Sequence, residues 1–506
     1  HGEAMLKGYW KPAAGHKLEL KGGYSREVSN ETYLGLSASD VESTPYRRYA
    51  ASALGRMDFH RTQAELAWSA KPSAALQART VAYHHYLTRS WTKLNGFADG
   101  PDLHELLQSD PSGGQGAVFL AILRGEEDSQ SPGQQLLIGT NDRRFHSAGV
   151  QSTVAWTVPG ERVSSRLELG LRLHQDLVWR LHTEDAFEMR SGELVDAGAE
   201  TQVTRDSEAL AQALAVHAHE ELRVGDVHLL PGARLEVVRT ELVDAVEGTS
   251  GPLTRAAVLP GVGVLWTPSG ALDLFAGVHR GFSPVAPGQA AEVRPELSWN
   301  SEAGLRWGTG QRQLELVGFF TNYQNITGQC TMSGGCGNEL VDQQFNGGQA
   351  WVYGGEASGR YTVLLPIELT IPITATYAYT ASRFRNSFES DFPQFGSVKA
   401  GDSLPYVPEH QGQLRVTLAH PIGELSLGAT ARSGMLDEAG AFPVSDLDLP
   451  ALVLVDAAGS VFVGERWSVY ATGANLTNRR TVTSWRPSGA RPTAPLQVML
   501  GVKVGG

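Results

Sequence analysis

Along most of this chain the side chains alternate between apolar and polar with a period of two, the pattern that on a strand sends successive residues to opposite faces. In residues 166–174 the odd positions are Leu167, Leu169, Leu171 and Leu173, set against Arg166, Glu168, Gly170, Arg172 and His174. The last segment repeats the pattern, with Leu496, Val498, Leu500 and Val502 against Gln497, Met499, Gly501 and Lys503. Shorter runs of the same kind occur at residues 17–21, 63–68, 413–418 and 424–431. Helical periodicity is hard to find. A chain with one apolar and one wet face on strand after strand is all-β.

These segments amount to about 19 strands of roughly 9–16 residues, the length needed to cross a bilayer at a tilt. Nine connections are short and rich in Pro, Gly or polar residues, at 12–16, 71–73, 159–163, 224–226, 267–270, 308–311, 365–367, 420–423 and 464–466. Nine are long, at 25–62, 89–143, 183–207, 243–256, 283–297, 325–348, 383–409, 432–449 and 479–494. Short and long alternate throughout. A soluble sandwich has no reason to sort its connections this way, whereas an outer-membrane barrel has short periplasmic turns and long extracellular loops. The expected architecture is therefore a transmembrane antiparallel β-barrel, apolar toward lipid and polar toward a lumen. Trp10, Trp68, Trp156, Trp266, Trp307 and Trp467 fall beside short turns, where an interfacial girdle belongs. An odd strand number leaves the first and last strands running the same way, so they cannot close an antiparallel barrel together.

Composition agrees. Of 506 residues, 57 are Gly and 41% are hydrophobic, too apolar for a disordered chain and without the repeat of collagen. The net charge of −12 argues against nucleic acid as the main partner. No apolar run of 18 residues is present, so no transmembrane helix is expected. The chain opens at His1 with neither a start methionine nor a charged-then-apolar leader, and is expected to be mature, processed or a fragment. No catalytic motif appears, so no enzyme is expected.

Several stretches resemble the TonB-dependent outer-membrane receptors that import ferric siderophores. The most specific are LFAGVHRGFSP at 274–284, ELSWNSEAGLRW at 296–307 and VDAAGSVFVGERWSVYATGANLTN at 455–478. Within that family, SNETYLGL at 29–36, YRRYAAS at 46–52, RSWTKLNGF at 89–97 and WRPSGARP at 485–492 are similar to the ferric dicitrate branch. The resemblance implies a 22-strand family barrel, a lumen-filling plug and a TonB box for coupling to the inner-membrane energy source. Residues 1–506 are expected to hold the barrel alone, short of its first three strands, with neither plug nor TonB box recognisable. The implied cargo is an anionic ferric siderophore, ferric citrate above all, and the implied partners are the TonB complex and outer-membrane lipid of a Gram-negative bacterium. A plugless passive channel, or a receptor for cobalamin, an oligosaccharide or another siderophore, are the rivals.

A ferric citrate complex is a polyanion, and arginine grips carboxylates in a bidentate way. The loops expected to be extracellular hold Arg47, Arg48 and Arg56, then Arg89 with Lys93, and finally Arg486 and Arg491, which are the candidate ligand-binding residues. Cys330 and Cys336 are the only cysteines, in CTMSGGC at a loop tip, and an oxidising surface favours a disulfide between them. His217, His219 and Glu221 share one strand face and are read as lumen-facing polar residues, so no metal site and no resident cofactor are expected.

Overall fold

The computed structural model describes residues 1–504 apart from 247, 249, 332, 333, 337–339, 446 and 447. One antiparallel sheet of 20 strands dominates it. Nineteen of these follow one another as a meander: Gly2–Trp10, His16–Ser29, Arg56–Ala70, Leu76–Phe97, Leu136–Val158, Val163–Arg190, Gln202–Val224, Val227–Asp244, Ser250–Ser269, Leu272–Ser283, Glu296–Thr309, Arg312–Asn325, Ala350–Leu364, Thr370–Phe384, His410–His420, Gly423–Arg432, Leu452–Val463, Trp467–Ala474 and Gln497–Val504. The twentieth, Glu193–Asp196, only prolongs the hairpin of the sixth. Among the described residues the first strand pairs only with the second and the last only with Trp467–Ala474. In hydrocarbon neither open edge is viable without a pairing partner.

The alternation works as expected. Val150, Val154, Trp156, Leu169, Leu171 and Leu173 all point to the exposed face, which lipid rather than water covers. All six short-turn tryptophans are exposed, from 37% for Trp307 to 65% for Trp10, as a girdle requires and a sandwich core forbids. They lie in register with apolar neighbours, Trp68 opposite Leu18 and Trp156 opposite Leu76. His217 and His219 lie on the face opposite exposed Leu214 and Val216, with His217 3.6 Å from Glu168.

Two expectations need correction. The fourth to ninth strands outrun 9–16 residues, the fourth to seventh reaching 22, 23, 28 and 23 residues. A tilted strand crosses a bilayer in about 9–11 residues, so these ladders stand well clear of the membrane at their loop ends. The connections shrink accordingly: the eighth strand runs on to Asp244 and the ninth already begins at Ser250. The long loops also contain helices. Ala38–Ser43 is capped by Ser37, Leu103–Ser109 by the Asp102 carboxylate, which accepts from His104 N and Glu105 N, and Gly114–Arg124 ends at Gly125 with φ +80.

These helices place the main hydrophobic core outside the barrel wall. Leu103, Leu106, Leu107, Phe119, Leu120, Ile122 and Leu123 are buried together with Leu34 and Leu36 of loop 30–55 and with Leu94, Leu136 and Met189 at the strand ends. The first and last long loops are stitched by backbone hydrogen bonds, Gly35 N to Ser488 O at 2.6 Å and Ala490 N to Leu36 O at 2.7 Å. The result is a packed cap joining loops from opposite ends of the meander. Loop 326–349 forms a second buried cluster, in which Cys330 and Cys336 join in a disulfide beside Phe384, Phe392 and Phe395.

Candidate anion site

The ladder of the fourth, fifth, sixth and seventh strands sets side chains in cross-strand rows. Arg89 lies opposite Arg143, Arg143 opposite Arg180, and Arg180 opposite Ser207. The next row runs Trp91, Asn141, His182 and Arg205. Because outward Val150, Leu173 and Leu214 differ from these by odd numbers of residues, both rows face inward. Directly opposed side chains sit about 5 Å apart at Cβ, so three arginines stand side by side across three strands.

Among the described residues, two carboxylates serve three of these four arginines. Arg180 Nη1 donates to Asp342 at 2.8 Å, and Arg143 Nη2 lies 4.0 Å from the same carboxylate. Arg143 Nε also reaches His182 Nε2 at 3.2 Å, and Arg205 pairs with Asp244 at 3.4 Å. Arg89 makes no ion pair among the described residues. Its guanidinium lies 5.6 Å from the Trp91 ring and 6.0 Å from the Phe145 ring, and its Nε is buried without a hydrogen-bond partner. Lys93, almost fully buried, donates to Asn95 and lies 5.6 Å from the Tyr33 ring. Tyr33 descends from the first long loop and stacks on Trp91 at 4.4 Å, so an aromatic pair closes one side of the cationic patch.

Of the six arginines expected to bind ligand, the structure brings one, Arg89, into this patch, and it does so from a strand rather than a loop. Arg47 is committed to the cap, 2.8 Å from Glu126 and 3.7 Å from Asp40. Burial, together with the neighbouring Asp40 carboxylate, pushes the adjoining Tyr49 hydroxyl up to about 12, so it stays a donor to Asp40. Arg48 donates to the carbonyls of Asn30 and Ser52, both at 3.3 Å. Arg56 begins a strand and faces outward opposite Thr92, exposed. Arg486 is buried and ion-paired with Asp437 at 3.1 Å and Glu438 at 2.7 Å. Arg491 donates to the carbonyls of Thr32 and Tyr33, at 3.2 and 2.7 Å, and burial holds its guanidinium below the usual value. Its role is to seat Tyr33. Arg143, Arg180, Arg205 and His182 were not anticipated: residues 143 and 205 fall within spans that read as loops, 89–143 and 183–207, while Arg180 and His182 stand at the end of the preceding strand, among its wet-face residues.

An antiparallel sheet with a lipid-compatible outer face, tryptophans at the turns, a polar inner face carrying a row of cations and a folded cap over its long-loop end defines an outer-membrane receptor barrel. The chain belongs to the TonB dependent receptor-like, beta-barrel family, whose model matches residues 9–476, and it resides in the outer membrane of a Gram-negative bacterium. Solved structures agree on the fold. The ferric citrate transporter FecA in its unliganded form superposes with a TM-score of 0.76 at 18% identity, over 99% of this chain and 70% of that one. The siderophore receptor PiuA from Acinetobacter baumannii gives 0.73 at 13%, over 97% and 72%, and the ferric-catecholate import receptor Fiu from K12 E. coli gives 0.70 at 14%, over 99% and 74%.

Proposed function

We propose that this barrel captures an anionic ferric siderophore, with ferric dicitrate the best match, for TonB-energised uptake. The observation that carries the reading is the inward row Arg89, Arg143 and Arg180. Like charges directly opposed on a sheet destabilise it, and an arrangement that costs stability calls for a functional return. A polycarboxylate complex supplies that return: each guanidinium presents a planar fork to a carboxylate, and the row spaces those forks across several strands. Trp91, Tyr33 and Phe145 line the same patch and suit the organic part of the complex. Likeness to a ferric citrate transporter and to receptors for other siderophores supports the class of cargo.

A passive pore fits less well, since the first and last long loops are hydrogen-bonded to each other and share a hydrophobic core. In the proposed sequence the loop cap admits the complex, the arginine row neutralises it, and energy from TonB drives release inward. The test is uptake of radioactive iron by iron-starved cells carrying the full-length gene, with and without citrate. Citrate-dependent uptake is expected. Uptake indifferent to citrate would overturn the cargo assignment.

A further inference from the structure

Resting on the reading of the arginine row as the ligand site, one contact in it has a separate meaning. The carboxylate that occupies the row comes from the protein itself. Asp342 Oδ2 lies 2.8 Å from Arg180 and 4.0 Å from Arg143, yet it belongs to loop 326–349 and not to the strands that build the row. That loop is built to deliver it. Asp342 N donates to Cys330 O at 2.9 Å, so the residue hangs directly from the disulfide-bonded cysteine. Gln289 Nε2 donates to Asp342 O at 2.8 Å, while Gln289 Oε1 accepts from Gln344 N at 2.7 Å, which clamps the segment at Asp342 and two residues beyond it from a different loop. Asp342 itself takes φ +72, a left-handed conformation uncommon for non-glycine residues but open to Asp.

We infer that Asp342 is an internal competitor that sets the charge specificity of the site. A monocarboxylate that displaces it exchanges one guanidinium–carboxylate pair for another and gains nothing, while having to beat a tethered group of high effective concentration. A cargo with several carboxylates also engages Arg89, which has no ion pair among the described residues, and Arg143, which Asp342 touches only at 4.0 Å. The row thus rejects simple carboxylates and admits polyanions.

The test uses purified full-length receptor and three probes, ferric citrate, iron-free citrate and acetate, with binding followed by tryptophan fluorescence. Asp342→Asn keeps the shape and the backbone hydrogen bonds and removes the charge. It is expected to bind citrate about 10-fold tighter, the size of one charge-assisted hydrogen bond, and to respond to acetate where the native receptor does not. Asp342→Ser should do the same and Asp342→Glu should resemble the native protein, which separates charge from any disturbance of folding. If the native receptor binds ferric citrate and neither neutral variant binds more tightly, the competitor is overturned and the cargo reading stands. If the native receptor ignores ferric citrate while the neutral variants gain affinity for iron-free citrate, the competitor stands and the cargo reading falls. Binding of no probe by any form overturns both.

Discussion

Replacing Arg89 by Met separates what the cationic row does for binding from what it does to stability. Methionine keeps the apolar stem and removes the charge. On the stability side the native residue gains two cation–π contacts, to Trp91 and Phe145 at 5.6 and 6.0 Å, together about 1–2 kcal/mol. Against this stand the buried Nε without a partner, costing about 1–3 kcal/mol, and repulsion from Arg143 directly opposite, about 0.2–1 kcal/mol. The two sides nearly cancel. Arg89→Met is therefore expected to change stability by less than about 1 kcal/mol, a shift of the thermal midpoint under about 2 °C in a barrel of this size. Binding has no such compensation, since a charged hydrogen-bond partner for the ligand is worth about 1.5–3 kcal/mol, or roughly 10- to 150-fold in affinity. The assay pairs a heat ramp on the full-length receptor with a ferric citrate titration on the same preparation. A variant that melts many degrees lower, or that binds within twofold of the native receptor, would refute the assignment of Arg89 as an uncompensated ligand cation.

The other expectations address the elements around the row. Cys330→Ser with Cys336→Ser removes a small closed loop worth about 2 kcal/mol and should speed proteolytic cleavage within 326–349 while leaving the strands resistant; equal cleavage rates would count against the staple. Leu107, fully buried among the cap helices, should cost about 2–5 kcal/mol when truncated to Ala, seen as faster hydrogen exchange in Leu103–Ser109 with no change in Val163–Arg190. Arg56→Ala should leave ferric citrate affinity within about twofold, because the side chain points away from the lumen and an exposed ion pair contributes little. A tenfold loss there would mean that the faces of the third strand are assigned the wrong way round.

The strand order, the sorting of connections and the girdle were legible because lipid enforces them. Within the hydrocarbon every outward residue must be apolar, so Leu167, Leu169, Leu171 and Leu173 announce their face. The site lay where that enforcement stops. Above the membrane the outward positions of the same ladders become Thr88, Ser90 and Thr92 or Asp142 and Arg144, which are as polar as the inward ones. Alternation then disappears from the sequence although the hydrogen bonds continue, so Arg143 reads as loop and Arg180 as one more polar residue at a fading strand end. The sequence signal that could have found them is register: counting residue by residue from Val150 and Leu173 places both arginines on the inner face opposite Arg89. The helices escaped for a different reason. Gly114–Arg124 holds the run VFLAIL, too short to show a helical period and too apolar for an exposed loop, and only its burial beneath Leu34, Leu36 and Leu106 explains it.

The placement of the core bears on how the site binds. In the strands, side chains face either lipid or the lumen, and most of the large buried apolar groups belong instead to the cap and its junction with the strand ends. Loops ordered by their own hydrophobic packing do not have to be ordered by the ligand, so the entropy of fixing them is met by folding instead of being subtracted from affinity. Tyr33 shows the connection: Arg491 holds its carbonyl, the stitching of residues 34–36 to 488–490 fixes the segment after it, and its ring is thereby set on Trp91 beside Arg89. The arginines reside on rigid ladders and the aromatic and carboxylate groups that face them come from packed or disulfide-stapled loops. Such a site meets its ligand with nearly fixed geometry, and what must move to admit a polyanion is chiefly the side chain of Asp342.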